Sequence, residues 1–240
     1  ERMMCDLYDS GLELGHSVRT ADETCQLAGE DATICSSLIE SRFLAGDRVL
    51  FDAFLEQFRA RLRRGSANLV TAVERARLEE QVQHGETVHL LEPNLKKSRG
   101  GLRDLQLVRW IGQIRYGQRD PEALAAHGAL ESDDREILDR AGELLLWIRN
   151  EMHFHAEKQG DVLTRAEQVR IAALRGYEPA AGMLPVEQFM REYFRATEQV
   201  SHLAVRFLEK ARERPRWKKF WAVVLGRRVA GGLLASPTEL

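Results

Sequence analysis

The sequence contains no CxxC pair, no Cys/His ligand spacing and no apolar run approaching the roughly 20 residues that a membrane helix requires. Cys5, Cys25 and Cys35 are odd in number and widely spaced, which excludes a disulfide framework and fits the reduced thiols of a cytosolic protein. An excess of charge of one sign is also missing. Lys and Arg number 35 against 37 Asp and Glu, a net charge of −2, so no global basic field points to nucleic acid as partner. The opening residues Glu1-Arg2-Met3-Met4 lack the charged-then-apolar pattern of a secretory signal, and they read as the start of a piece of something longer. Neither an internal repeat nor a low-complexity tract is present. What is there is a 44% hydrophobic content, enough for a buried core.

The densest local chemistry lies in Leu91-Glu92-Pro93-Asn94-Leu95-Lys96-Lys97-Ser98-Arg99-Gly100-Gly101-Leu102-Arg103-Asp104-Leu105-Gln106. Val88 to Leu91 is a short apolar run expected as a strand, and Pro93 would end it by removing a ladder donor. Gly100-Gly101 permits positive φ and a close approach of backbone to a ligand. A helix expected over Leu102–Arg115 would aim unpaired N–H groups and a partial positive charge at the loop, among Lys96, Lys97, Arg99 and Arg103. An anion, most naturally phosphate, would be held there. The other reading leaves the glycines as a turn and the cations in solvent.

Elsewhere the pattern is mostly helical. Leu7 to Gly15 alternates weakly and reads as a bent strand; Thr20-Ala21-Asp22-Glu23 has the form of a capping box opening a helix at Ala21. Thr33 to Ile39, with β-branched and small residues, reads as a strand. Apolar residues from Val49 to Leu62 recur at three- and four-residue spacing behind Asp47, so one helix should end at Gly65-Ser66 and a second, charged one run from Ala67 to His84. Further helices are expected from Asp120-Pro121, from Ser132-Asp133-Asp134, over Asp161–Leu174 and over Pro185–Arg214, before an aromatic-basic tail around Trp217, Lys218, Lys219, Phe220 and Trp221. His153 and His155 are two residues apart, about 200° around a helix, and cannot share a metal there; a packed or surface pair is expected. His16 to Arg19 is either a plain turn or a phosphate contact through the Arg19 guanidinium.

Glu92-Pro93-Asn94-Leu95-Lys96 followed by Gly100-Gly101-Leu102-Arg103-Asp104-Leu105-Gln106 resembles the signature of the bacterial PII-protein uridylyltransferase/uridylyl-removing enzymes. One departure is Ser98-Arg99 where that family usually has Gly-Pro. Arg149, Asn150, His153, Asp161, Leu163, Gln168, Gly176 and Tyr177 also match the family's helical-domain pattern, in which such residues join helices and Arg149 and His153 face a ligand. The resemblance implies a mainly α chain with a small α/β N-terminal part: the end of a polymerase-β-like nucleotidyltransferase domain over 1–100, a helical bundle over 101–214, and a basic/aromatic tail over 215–240. It implies phosphate and nucleotide contacts from Arg19, Lys96, Arg99, Gly100, Gly101 and Arg103, with Glu40 as a third carboxylate and Asp31 as its alternative.

The same resemblance implies a cytoplasmic parent enzyme that moves UMP between UTP and the PII regulatory protein, with Mg²⁺, under control of glutamine sensed outside this chain. The family's Gly-Ser…Asp-x-Asp motif and its phosphohydrolase His-Asp doublet are not in the sequence. The piece is therefore expected to be inactive alone, with no metal site of its own. Two alternatives stand beside this expectation: a related protein adenylyltransferase of the glutamine synthetase type, and a non-catalytic helical interaction module whose basic loop contacts an acidic protein.

Overall fold

The computed structural model describes residues 2–11, 15–84, 89–180 and 182–212. The chain is mainly α. Its helices are α1 (Arg2–Asp9), α2 (Ala21–Glu30), α3 (Ala32–Ile39), α4 (Arg48–His84), α5 (Leu102–Tyr116), α6 (Pro121–Ala126), α7 (Ser132–Ala156), α8 (Arg165–Leu174) and α9 (Pro185–Arg212). Among the described residues the only β pairing is two isolated bridges, Asn94 with Val162 and Ala180 with Met183. The aromatic-basic tail lies outside the described residues.

Contacts divide the chain into a unit over 1–61 and a unit over 62–240. In the first, Thr20 caps α2 with the reciprocal hydrogen bonds of a capping box to Glu23. Cys25 and Ala28 of α2 and Cys35 and Ile39 of α3 are among its buried apolar side chains, joined by Phe58, which stacks on Phe54. Burial pushes the Cys35 thiol up to about 11, which leaves it an inert apolar filler.

Three sequence expectations change here. The Thr33–Ile39 stretch is a helix, not a strand, because the Asp31 carboxylate accepts from Thr33 N (2.6 Å) and Ile34 N (3.0 Å) and supplies the N-cap that starts it. Arg2–Asp9 is likewise helical where a bent strand was expected from Leu7, and Leu12 to Leu14 of that stretch lie outside the described residues. Gly65-Ser66 breaks nothing: α4 runs through it. An interior glycine costs about 1 kcal/mol relative to alanine, while Leu62, Leu69, Val70 and Val73 are buried along the same helix at about 1.5–3 kcal/mol each for a full side chain.

In the second unit α9 is the hub, packing against α5, α7 and α8. Phe189, Tyr193, Thr197, Val200, Leu203 and Phe207 recur at three- and four-residue steps and all are buried, so one face of α9 is the wall that the other helices cover. Leu95, Leu102, Leu145, Ile148, Leu163 and Ile171 complete the core. Thr164 starts α8 by accepting from Glu167 N, three residues later than the sequence suggests, because Asp161 is engaged elsewhere. The run ending at Leu91 is not a strand either. His89 and Leu90 carry no regular structure, Val88 lies outside the described residues, and the Leu91 carbonyl accepts from Gln168 Nε2 (2.7 Å) instead of a ladder partner.

Candidate functional site

The stretch from Glu92 to Gln106 folds into a loop tied on all sides. Asn94 begins it: its Oδ1 accepts from Lys96 N (3.0 Å) and Lys97 N (2.8 Å), a side chain imitating a backbone turn. Ser98 closes the turn by accepting from Asn94 N (2.9 Å) through Oγ. On the α8 side, Leu163 N donates to Pro93 O (2.8 Å), Leu95 N to Asp161 O (2.7 Å), and Arg165 N to the Glu92 carboxylate (2.9 Å).

Gly100 sits at φ 75°, and a Cβ there would lie 2.0 Å from the Thr197 carbonyl oxygen of α9. Only glycine fits, for both conformation and space. At Gly101 φ is −78° and the constraint is space alone, with Leu95 O 2.7 Å from an added Cβ. Both glycines thus let the loop's backbone press against the protein's own backbone.

Asp104, in the first turn of α5, accepts from Gly100 N (2.6 Å) and from Arg77 Nε of α4 (2.6 Å). The same guanidinium donates to the carbonyls of Lys97 (2.9 Å) and Ser98 (3.2 Å) and to Glu80 (3.0 Å). Arg77 and Asp104 side chains are each 3% exposed. Such a pair recovers its desolvation cost only when further hydrogen bonds satisfy it, and here all three Arg77 nitrogens and both Asp104 oxygens have partners. Sequence reading missed Arg77 because it lies in a charged helix assigned to the surface.

The amides that open α5 are also committed. Gly101 N donates to Ser98 O (3.0 Å), Leu102 N to Leu95 O (2.9 Å), Arg103 N to Lys96 O (2.9 Å) and Asp104 N to Gly101 O (2.9 Å). The donors a helix start normally leaves open here close the loop on itself.

The loop's cations diverge. Arg99 donates through Nε to Ser201 Oγ of α9 (2.8 Å). Arg103 donates to Gln106 Oε1 (2.9 Å), lies 3.3 Å from Glu80, and stands 5.5 Å over the Trp110 ring. Lys96 turns the other way, into a cleft of about 350 Å³ between α5 and α7 that Arg109 and Arg149 also line. Of the residues expected in the first unit, Arg19 is exposed just before the Thr20 cap, and Glu40 is half-buried at the C-cap of α3 rather than at a strand end.

Arg149 and His153 meet on one carboxylate. Arg149 Nε donates to Asp161 Oδ1 (2.6 Å), and His153 Nε2 lies 3.3 Å from the same oxygen. Burial raises the Asp161 pKa, but the hydrogen bond and charge of Arg149, then His153 and Lys96, outweigh it and hold the carboxyl below its ordinary range. His155 faces Glu167 at 3.3 Å, so the two histidines serve different partners, as their angular separation requires. Among the described residues no group of three or more His, Cys, Asp or Glu side chains could hold a metal ion, and no helix is long and apolar enough to cross a membrane.

The family model for GlnD PII-uridylyltransferase matches residues 72–208. A bifunctional uridylyltransferase/uridylyl-removing enzyme of Bradyrhizobium diazoefficiens is 34% identical over 204 residues, 85% of this chain and 22% of that protein. The enzyme of the same name from Cereibacter sphaeroides is 37% identical over 215 residues (89% and 23%), and that of Pseudomonas syringae pv. tomato 35% over 204 (85% and 23%). The chain spans less than a quarter of the length of these relatives. No solved structure matches.

Proposed function

The chain belongs to the GlnD PII-uridylyltransferase family, and from that premise we propose that it is the helical part of a cytoplasmic enzyme that transfers UMP from UTP to the PII regulatory protein and removes it again in response to glutamine. The observation that carries this reading is the 34–37% identity along most of the chain to enzymes of that name, with the Glu92–Gln106 signature inside the matched span.

The described residues do not compose a magnesium site, and the Asp-x-Asp pair is absent from the sequence. The Mg²⁺ that such a transfer uses would therefore be held mainly by carboxylates supplied by another segment of the parent protein, with Glu40 proposed as a further carboxylate. Alone, the piece is inactive. Its own contribution is to hold nucleotide phosphate. Lys96 offers an ammonium at the α5–α7 cleft, Arg99 and Arg103 offer guanidinium groups, and Arg19 offers a further exposed one. Gly100 and Gly101 set the loop's path.

The test is UMP transfer from labelled UTP to PII by the protein extended to the length of its relatives, beside Lys96→Ala and Arg103→Ala. Removing a hydrogen bond to a charged group costs about 1.5–3 kcal/mol, so each variant loses roughly tenfold or more in UTP affinity, read by titration. Unchanged affinity in both would assign the loop to structure alone.

A further inference from the structure

The α5–α7 cleft has the features of a ligand site. At its mouth, Arg149 directs Nε to Asp161, while its two terminal nitrogens and the Lys96 ammonium make no hydrogen bond among the described residues. Both side chains line the cavity and both are half-buried, where an anion is attracted more strongly than at an open surface. Two cations with donors to give on one side of a cleft can grip the oxygens of a phosphoryl group from two directions.

The middle of the cleft is apolar. Leu102 and Leu105 of α5 face Leu138 and Leu146 of α7, and the floor on the α7 side is Gly142. An added Cβ at Gly142 would stand 3.7 Å from Leu105 Cδ1, ordinary van der Waals contact, so the glycine is not forced by the packing of α5 on α7. Its missing side chain leaves room for a flat or apolar body. The far end is polar again: Arg109, Asp120 and Asp139 line it, with Arg109 about 10 Å along α5 from Leu102 by the 1.5 Å rise of a helix. A cationic mouth, an apolar waist and a mixed donor–acceptor end match a phosphate, a sugar-base body and a base edge in that order.

We propose that this cleft binds a nucleoside phosphate, with the phosphoryl oxygens on Lys96 and Arg149 and the base over Gly142. The proposal rests on the functional reading above for Lys96 alone; Arg149, Gly142 and the α5–α7 cleft are independent of it. Here side chains hold the anion, because the α5 amides are committed to the loop's own carbonyls.

Isothermal titration of UMP, UTP and inorganic pyrophosphate into the 240-residue chain tests this, with Arg149→Gln, Lys96→Gln, Gly142→Leu and Arg103→Ala beside the parent sequence. Far-ultraviolet circular dichroism melts confirm that each variant is folded. UMP and UTP are expected to bind, and Arg149→Gln, Lys96→Gln and Gly142→Leu each to weaken them at least tenfold. Gly142→Leu fills the waist without touching a charge, so its effect separates cleft binding from a lost ion pair. Three results overturn the proposal: no binding of UMP or UTP at millimolar concentration, pyrophosphate bound as tightly as UTP with no response to Gly142→Leu, or loss in Arg103→Ala while Arg149→Gln is unchanged. The last would leave the functional reading of the loop standing and remove only the cleft.

Discussion

The two sides of the Glu92–Gln106 loop are built on opposite principles. Toward α4 and α9 the Arg77 guanidinium, the Asp104 carboxylate, the Gly100 amide and the opening amides of α5 all have partners, and two glycines let backbone meet backbone. Toward α7, Lys96 and Arg149 stand at a cleft with donors still to give. A loop that looks in sequence like a single phosphate cradle is thus a rigid bracket on one side and lines the proposed nucleotide cleft on the other. The rigidity keeps Lys96 in place.

The sharpest way to break the bracket is Gly100→Ala. A Cβ 2.0 Å from Thr197 O, at a φ of 75°, cannot be relieved by a side-chain rotation because the obstacle is backbone. We expect destabilisation of about 3 kcal/mol or more, the upper range for a single substitution, seen as a large fall in denaturation midpoint or a failure to fold. Gly101→Ala, at φ −78°, meets the same kind of obstacle less closely and should cost less.

Arg77→Met comes next. It leaves the Asp104 carboxylate buried with only Gln81 and Gly100 N for company, and breaking a buried pair on one side costs about 3–5 kcal/mol. Urea denaturation of Arg77→Met against the Arg77→Met/Asp104→Leu double variant measures the coupling. Recovery of stability in the double variant is the expected sign.

On the cleft side the effects are smaller. The Asp161 carboxyl titrates below its unfolded value, so its contribution to stability is present above the unfolded pKa, about 3.9, and is lost as pH falls through the lower folded one. Melting temperature measured from pH 6 downward should drop below about pH 4, and Arg149→Ala should remove part of that pH dependence. Gly142→Ala is the mildest change and has the opposite sign. With only an ordinary van der Waals contact to Leu105 at the Cβ and a helical backbone, it should stabilise by about 0.5–1 kcal/mol, raising the denaturation midpoint slightly.

Much of the bundle could be read from the sequence because its helices carry their signals locally. The buried stripe of α9, the Thr20 capping box and the Asp120-Pro121 start of α6 are each contained within a few residues. The Thr33–Ile39 stretch misled because β-branched residues outweighed a single capping aspartate at position 31, and Gly65-Ser66 because burial on both sides outweighs a local breaker. At the site, positive φ was foreseeable for Gly100. The Arg77–Asp104 lock was not, since it joins residues 27 apart in sequence and its arginine sits among solvent-facing charges. Lys96, Arg99 and Arg103 look convergent in a linear sequence, but the turn made by Asn94 and Ser98 sends them three ways.

The most direct test of this division is amide hydrogen exchange across Gly100 to Asp104, with and without saturating UMP. If the loop's carbonyls hold these amides as the geometry requires, they exchange slowly in the free chain and UMP changes their rates little, while its chemical-shift perturbations fall on Lys96, Gly142 and Arg149. Fast exchange in the free chain with strong protection on adding UMP would mean that the amides themselves hold the phosphate, and the account of a bracket on one side and a site on the other would fail.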